Sequence, residues 1–265
     1  RILLCEKDLD NFSRIELNNR QARHLREVLK AKVGSSFEAG LINSPISGEF
    51  RVEELGPDAS VSGYFVGKHD ESQTLRWQNF IIAIGIMRPP VLKRLLRDLA
   101  SAGVEEIILL QAELCEGDYC KSHLWDELEK FLILGAEQGR INRLPRLSCG
   151  ERRGLSLTEY LAKVEQIRQD RAVLPQNCLV FEEKGCPVRP DILPREKKRE
   201  TYIVALGPER GWTARELKQL RNSGFADYSL GCLTMRTEVA AHLALGLYLL
   251  ETRQTVGSVA PDAGD

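Results

Sequence analysis

From residue 77 onward the chain alternates short apolar runs with longer stretches of helical spacing. The apolar runs at 80–86, 104–110, 178–182, 202–206 and 228–230 read as strands. Helical periodicity predicts helices at 90–102, 122–138, 155–168, 213–222 and 238–253. In the first of these, Leu92, Leu95, Leu96 and Leu99 form an apolar stripe, Pro89-Pro90 suits a first turn, where a proline loses no hydrogen bond, and Gly103 marks the end. Strands alternating with helices predict an α/β fold, a mostly parallel sheet covered on both faces.

Residues 1–70 follow another pattern. Runs at 2–5, 36–39, 48–52 and 60–66 are short, β-like and separated by Gly, Pro, Asn and Asp, which predicts a small β-barrel. One helical segment interrupts them at 19–32. There Ala22, Leu25, Val28 and Leu29 keep helical spacing while Arg20, Arg23, Arg26, Lys30 and Lys32 take the other positions. Those cations suit either a solvated helix face or a phosphate-contacting surface. The apolar pattern fades from 67, so the expected organisation is a barrel domain over 1–70, a linker at 71–76, an α/β domain over 77–253 and a disordered polar tail at 254–265. The charged stretch 183–200 reads as a solvated connection.

Composition narrows the classes. A chain of 265 residues with 43% hydrophobic and 28% charged positions has length enough to bury a core, and its formal net charge of -1 excludes a globally basic protein. A nucleic-acid partner would therefore be held by local patches. The seven cysteines have no paired spacing and no signal-peptide pattern opens the chain, which predicts reduced thiols in a cytoplasmic protein. The four histidines lie far apart and predict no metal site. No apolar run is long enough for a membrane helix.

Two features carry candidate chemistry. Between Glu137 and Arg153 lie Arg140, Arg143, Arg146, Arg152 and Arg153, the densest positive stretch, and Pro145 keeps it extended so that arginines can splay toward phosphates. Near the C-terminus the apolar run 202–206 meets the turn Gly207-Pro208-Glu209-Arg210-Gly211, then Thr213 and Glu216 spaced as a capping box. A second junction, Tyr228-Ser229-Leu230-Gly231, precedes Leu233-Thr234-Met235-Arg236-Thr237-Glu238 and the last helix. Glycines there let a ligand approach the backbone, although an ordinary strand-to-helix loop uses the same residues. Ile84-Gly85-Ile86-Met87-Arg88-Pro89 after the first strand is not the glycine turn of a conventional dinucleotide fold.

The blocks Leu206-Gly207-Pro208-Glu209-x-Gly211, Leu230-Gly231 and Met235-Arg236-Thr237-Glu238 resemble the signature of the SPOUT methyltransferases. With Arg23-His24-Leu25-Arg26 upstream and Glu137-Gln138, Asn142, Arg143 and Pro145 between, the chain resembles the ribosomal RNA small-subunit methyltransferase E family, which methylates N3 of a uridine in 16S rRNA. The resemblance implies an N-terminal PUA-like barrel, a trefoil-knotted α/β domain, a homodimer, and S-adenosylmethionine held mainly by backbone groups, with no metal. It places the cofactor at Leu206, Gly207, Pro208, Glu209, Gly211, Leu230, Gly231, Leu233, Met235 and Arg236. The chain departs from the family at Arg210, Asp98, Ser101 and Val239, and its Gly139-Arg140 pair is displaced by one position.

Methylating uracil N3 requires loss of its proton and stabilisation of charge spreading to O2 and O4. On this resemblance Arg236 stabilises that anion or orients the cofactor, while Glu238 fixes the knot loop or serves only as an acid at a helix start. Arg23, Arg26, Arg140 and Arg143 are assigned to RNA of the small ribosomal subunit. Two alternatives stay open: a related enzyme acting on another nucleotide or a ribose 2′-hydroxyl, and an RNA-binding protein that has lost catalysis.

Overall fold

The computed structural model describes residues 1–10, 13–75, 78–151, 153–171, 173, 175–187, 200–231 and 233–253. The tail 254–265, most of the 183–200 connection, Arg152 and Cys232 lie outside them. Contacts divide the chain into two units. The first combines Arg1–Gln78, Leu96–Gly103 and Leu128–Pro145; the second combines Asn79–Leu95, Val104–Glu127 and Arg146–Asp265.

In the first unit, strands β1 (Ile2–Leu4), β2 (Arg14–Glu16), β3 (Ser36–Leu41), β4 (Ile46–Leu55) and β5 (Val61–His69) form a half-barrel sheet in the order β1-β3-β4-β5-β2. β1 runs parallel to β3 and the remaining pairs are antiparallel. Alternation along β5 buries Val61 and Phe65 against Phe50, Val52, Ile15 and Leu25 and leaves Tyr64 and Val66 outside. The predicted helix at 19–32 is shorter: α1 (Asn19–Arg23), capped by the Asn18 side chain, widens into a π turn over His24–Val28. Lys30 then takes φ +52, which ends the helix. In the stretch from 67, β5 continues to His69 and a short helix α2 occupies Ser72–Leu75.

The second unit holds β6 (Gln78–Gly85), β7 (Val104–Leu110), β8 (Arg146–Ser148), β9 (Cys178–Pro187), β10 (Tyr202–Leu206) and β11 (Ala226–Ser229), in the order β11-β9-β10-β6-β7-β8. The pairs β11–β9, β9–β10, β10–β6 and β7–β8 are parallel. Every residue of β10 is buried, as the continuous apolar run required of a central parallel strand. One face of the sheet places Ile81, Ala83, Ile203 and Ala205 in a core with Tyr160 and Val164 of α5 (Leu157–Arg171) and Leu220 of α6 (Ala214–Asn222). On the alternate positions Phe80 and Tyr202 meet Tyr248 of α7 (Thr237–Arg253), with ring centroids 5.1 and 5.5 Å apart. Helices therefore cover both faces, and each buried large side chain contributes roughly 1.5–3 kcal/mol of transfer free energy.

The helix α3 (Pro89–Ser101) begins at the two prolines and α4 covers Leu128–Gly139. The helix expected from 122 is instead a 3-10 turn, His123–Asp126, capped by Ser122; Glu127 leaves helical geometry before α4 begins. Arg146 does not splay outward. It sits on the edge strand β8, where its guanidinium holds Glu105 at 2.9 Å and Glu106 at 3.1 Å, two carboxylates almost wholly buried. Lys163 reaches Glu106 at 2.9 Å, Ser148 donates to it at 2.7 Å, and Arg171 pairs with Glu105. Burial pushes the Glu106 carboxyl up, but Ser148, Lys163 and Arg146 outweigh it and leave its pKa below the usual carboxylate range. No helix among the described residues is long and apolar enough to cross a membrane.

Candidate functional site

The last residue of β10, Leu206, delivers the chain to the carboxyl edge of the parallel sheet, where open α/β sheets place their ligands. The chain then turns back on itself, Gly211 N donating to Pro208 O at 2.8 Å, with Gly211 at φ +75. Two packing constraints shape this turn. A Cβ on Gly85, the last residue of β6, would lie 2.4 Å from Pro208 N, so the turn rests directly on that glycine. A Cβ on Gly207 would come within 3.0 Å of Gly211 C.

After the turn, Thr213 accepts from Glu216 N while Glu216 accepts from Thr213 N at 2.8 Å, the reciprocal capping box the sequence predicts. Glu216 is buried, and its other oxygen accepts from Glu113 N at 2.8 Å. The second glycine junction follows β11. Ser229 Oγ lies 2.8 Å from Gly231 O, and Gly231 takes φ +140, which a side chain would strain. Thr234 Oγ1 donates to Glu183 at 2.9 Å and Thr237 Oγ1 donates to Gly207 O at 3.1 Å, so the start of α7 is tied to the first turn.

Together these segments wall a cavity of about 550 Å³. Nine of the expected cofactor residues line it: Leu206, Gly207, Pro208, Glu209, Gly211, Leu230, Gly231, Leu233 and Met235. Trp212, Leu217, Glu182 and Glu183 line it too. Arg236 and Glu238 are not in the wall; Arg236 is 83% exposed and lies 4.0 Å from Glu238. Arg210, in the turn itself, lines the cavity and lies 3.9 Å from Glu116.

The arginines assigned to RNA all belong to the first unit, in differing surroundings. Arg23 is exposed, 4.0 Å from Glu27. Arg26 folds inward, its Nη1 donating to Gly56 O at 2.7 Å and Ser60 O at 3.0 Å. Arg140 adopts φ +56 with Nε 3.6 Å from Glu38, and Arg143 is exposed.

Sequence reasoning missed two residues beside the cavity. Arg88 Nε donates to Glu209 at 3.2 Å, and the Tyr119 hydroxyl lies 3.5 Å from the other Glu209 oxygen. Glu209 raises the Arg88 pKa; burial, then the Glu209 charge, raises that of Tyr119. The available signal for Arg88 was positional, a cation just past the carboxyl end of a parallel strand.

Comparison with known proteins agrees with this architecture. A family model described as RNA methyltransferase domain matches residues 75–249. The chain is 29% identical over 228 residues to the ribosomal RNA small subunit methyltransferase E 1 of Borreliella burgdorferi, covering 85% of this chain and 88% of that protein. It is also 29% identical to the ribosomal RNA small subunit methyltransferase E of Treponema pallidum, over 85% of this chain and 81% of that protein. Among solved structures, the Neisseria gonorrhoeae ribosomal RNA small subunit methyltransferase E, bound to S-adenosyl methionine, superposes with a TM-score of 0.70 at 20% identity, covering 94% of this chain and 96% of that one. A putative methyltransferase from Legionella pneumophila with bound cofactor gives 0.74 at 17% identity, covering 94% and 97%. At those identities the structures establish the shared fold. The family model spans well over half of the chain, so the protein belongs to the RNA methyltransferase domain family and is an RNA methyltransferase.

Proposed function

We propose that this chain is an S-adenosylmethionine-dependent methyltransferase of the small ribosomal subunit, acting on N3 of a uridine in 16S rRNA. The observation that carries the reading is the glycine-walled cavity at the carboxyl ends of β10 and β11. Its volume of about 550 Å³ lies within the range of small-ligand sites. Leu206, Leu217, Trp212 and Met235 offer apolar surface for an adenine, Glu209, Glu182 and Glu183 offer negative charge to a cationic ligand, and Gly207, Gly211 and Gly231 offer main chain. The buried Trp212 Nε1 has no hydrogen-bond partner among the described residues, which leaves a donor at the wall. When bound, the cofactor would supply an electrophilic methyl group. The chain's part is to hold Leu206, Gly207, Pro208, Glu209, Gly211, Leu230, Gly231, Leu233 and Met235 around it and to exclude water, while Arg236 stands outside the wall. Arg236 meets the developing negative charge of the base, and Glu238 steadies Arg236 from 4.0 Å.

Arg23, Arg26, Arg140 and Arg143 hold the RNA on this reading, with Arg26 acting through the nitrogens that Gly56 and Ser60 leave available. The active unit is a homodimer in the cytoplasm. Support for the dimer comes from α7, where Val239, Leu243 and Leu250 are exposed apolar side chains and, with Gly246, repeat at i, i+4, i+7 and i+11 along one face. Leu243→Glu should convert the dimer to monomer by sedimentation; an unchanged mass rejects α7 as the interface.

The main test is mass spectrometry of 16S rRNA from a strain lacking the gene. Loss of one methyl group at N3 of a uridine, restored by the wild type and not by Arg236→Ala with its fold retained, is the expected result. A missing methyl on another nucleotide or on a ribose, or no change together with no cofactor binding by calorimetry, rejects it.

A further inference from the structure

Glu209 sits at the centre of a cluster that the cavity alone does not explain. Arg88, just past the end of β6, and Tyr119, from the 3-10 turn Gly117–Lys121, both meet it, and all three lie within the second unit. Arg88 lies within electrostatic reach of Glu238 as well as of Glu209 and Tyr119. Its Nε is held by Glu209, yet its two terminal nitrogens make no hydrogen bond among the described residues, and the side chain is 66% exposed. A half-exposed pair of this kind adds little to stability, on the order of 0–1 kcal/mol. What it does supply is orientation: a guanidinium fixed by one edge presents the opposite N–H groups in a set plane.

The reaction at N3 makes a demand that this arrangement meets. The N3–H proton leaves to solvent, an N3–CH3 bond forms as the methyl–sulfur bond of the cofactor breaks, and in between the charge of the base rests on O2 and O4. We propose that Arg88, held by Glu209, presents its terminal N–H groups to a carbonyl oxygen of the accepting uracil, and that the ring of Tyr119 supports the base beside it. This rests on the uridine N3 reading above. Glu209 thereby serves two partners, lining the donor cavity and aiming the cation that receives the acceptor. Tyr119 stays a neutral phenol, because burial and the Glu209 charge both oppose its ionisation, so its part is the ring face and not proton removal.

The test uses the full chain with small ribosomal subunits lacking the methyl group and labelled S-adenosylmethionine under single turnover. Arg88→Ala should bind the cofactor within about threefold of wild type by calorimetry yet transfer methyl at least about 10²-fold more slowly at saturating RNA, the usual scale for losing one donor to a developing anion. Arg88→Lys should recover part of that loss. The pH at which the rate levels off should move upward in Arg88→Ala, a shift that a merely structural role would not produce. Tyr119→Ala should raise the RNA concentration for half-maximal rate about tenfold, in line with stacking of one base, and Tyr119→Phe, which keeps the ring, should recover most of it. An Arg88→Ala protein with wild-type rate and pH profile overturns the proposal, as does a cofactor affinity that falls in step with the rate. A wild-type chain that transfers no methyl group overturns the uridine reading and this one with it, so the two failures are distinguishable.

Discussion

Gly85→Ala should damage the donor cavity from below, by displacing Pro208, without replacing any residue that lines it. An added Cβ would lie 2.4 Å from Pro208 N, 2.6 Å from its Cδ and 2.8 Å from its Cα, whereas ordinary contact begins at 3.4 Å. The obstacle is proline ring and backbone, so relief requires the turn or the strand to retreat by about 1 Å, and such overpacking costs about 1–3 kcal/mol. For a chain of this size that corresponds to a fall in Tm of roughly 2–12 °C. A displacement of about 1 Å at a reacting centre costs on the order of 10²-fold in rate. Calorimetry with S-adenosylmethionine should therefore show at least about tenfold weaker binding, and single-turnover transfer should fall further. Gly117→Ala is the control, because a Cβ there meets no atom within 4 Å. If Gly85→Ala melts and binds cofactor like the wild type, the turn does not rest on β6 as described.

Two further outcomes follow from the same geometry. Gly231→Ala, at φ +140, should cost at least about 1 kcal/mol and weaken cofactor binding; its Cβ would meet only the Met235 Cε, at an ordinary 3.9 Å, so an unaffected variant would show that backbone strain is absent there. Because the folded pKa of Glu106 is depressed, its contribution to stability is fully present above the unfolded carboxyl value and is lost as the pH falls through the folded one. Urea midpoints measured from pH 7 down to about pH 3 should thus decline less steeply for Glu106→Gln, which starts from a lower midpoint; parallel curves would exclude Glu106 as a source of the acid sensitivity.

Much of the second unit was legible in the sequence because its signals are local. The apolar run 202–206, the glycine turn and the Thr213–Glu216 box each declare themselves within a few residues, and the structure places them there. The three-residue strands β2 and β8 were not legible, since such segments are too short for any period to appear and exist only through pairing with β5 and β7. Arg146 was misread for the same reason: its partners Glu105 and Glu106 are forty residues away, and a buried carboxylate in a strand that otherwise reads as apolar gives no local sign of the cation it needs. Gly85 falls inside the strand expected at 80–86 with no sign of its role, because what it accommodates, Pro208, arrives from more than a hundred positions downstream. The helix beginning at 19 shows the opposite case, a strong local pattern cut short by the π turn and by Lys30 at φ +52.

The cavity owes part of its wall to Gly207, Gly211 and Gly231, which expose only main chain, while its edge carries Arg88, Tyr119 and Arg210 as long side chains. Point mutation rewrites side chains and leaves peptide groups where they are. A lineage carrying this fold can accordingly exchange residues at the edge, and, on the role proposed for Arg88 and Tyr119, the nucleobase it accepts, at little risk to the wall. Replacing any of the three glycines, by contrast, disturbs every reaction the fold could host. Divergence in such a lineage should therefore concentrate at the edge, with the wall inherited almost intact.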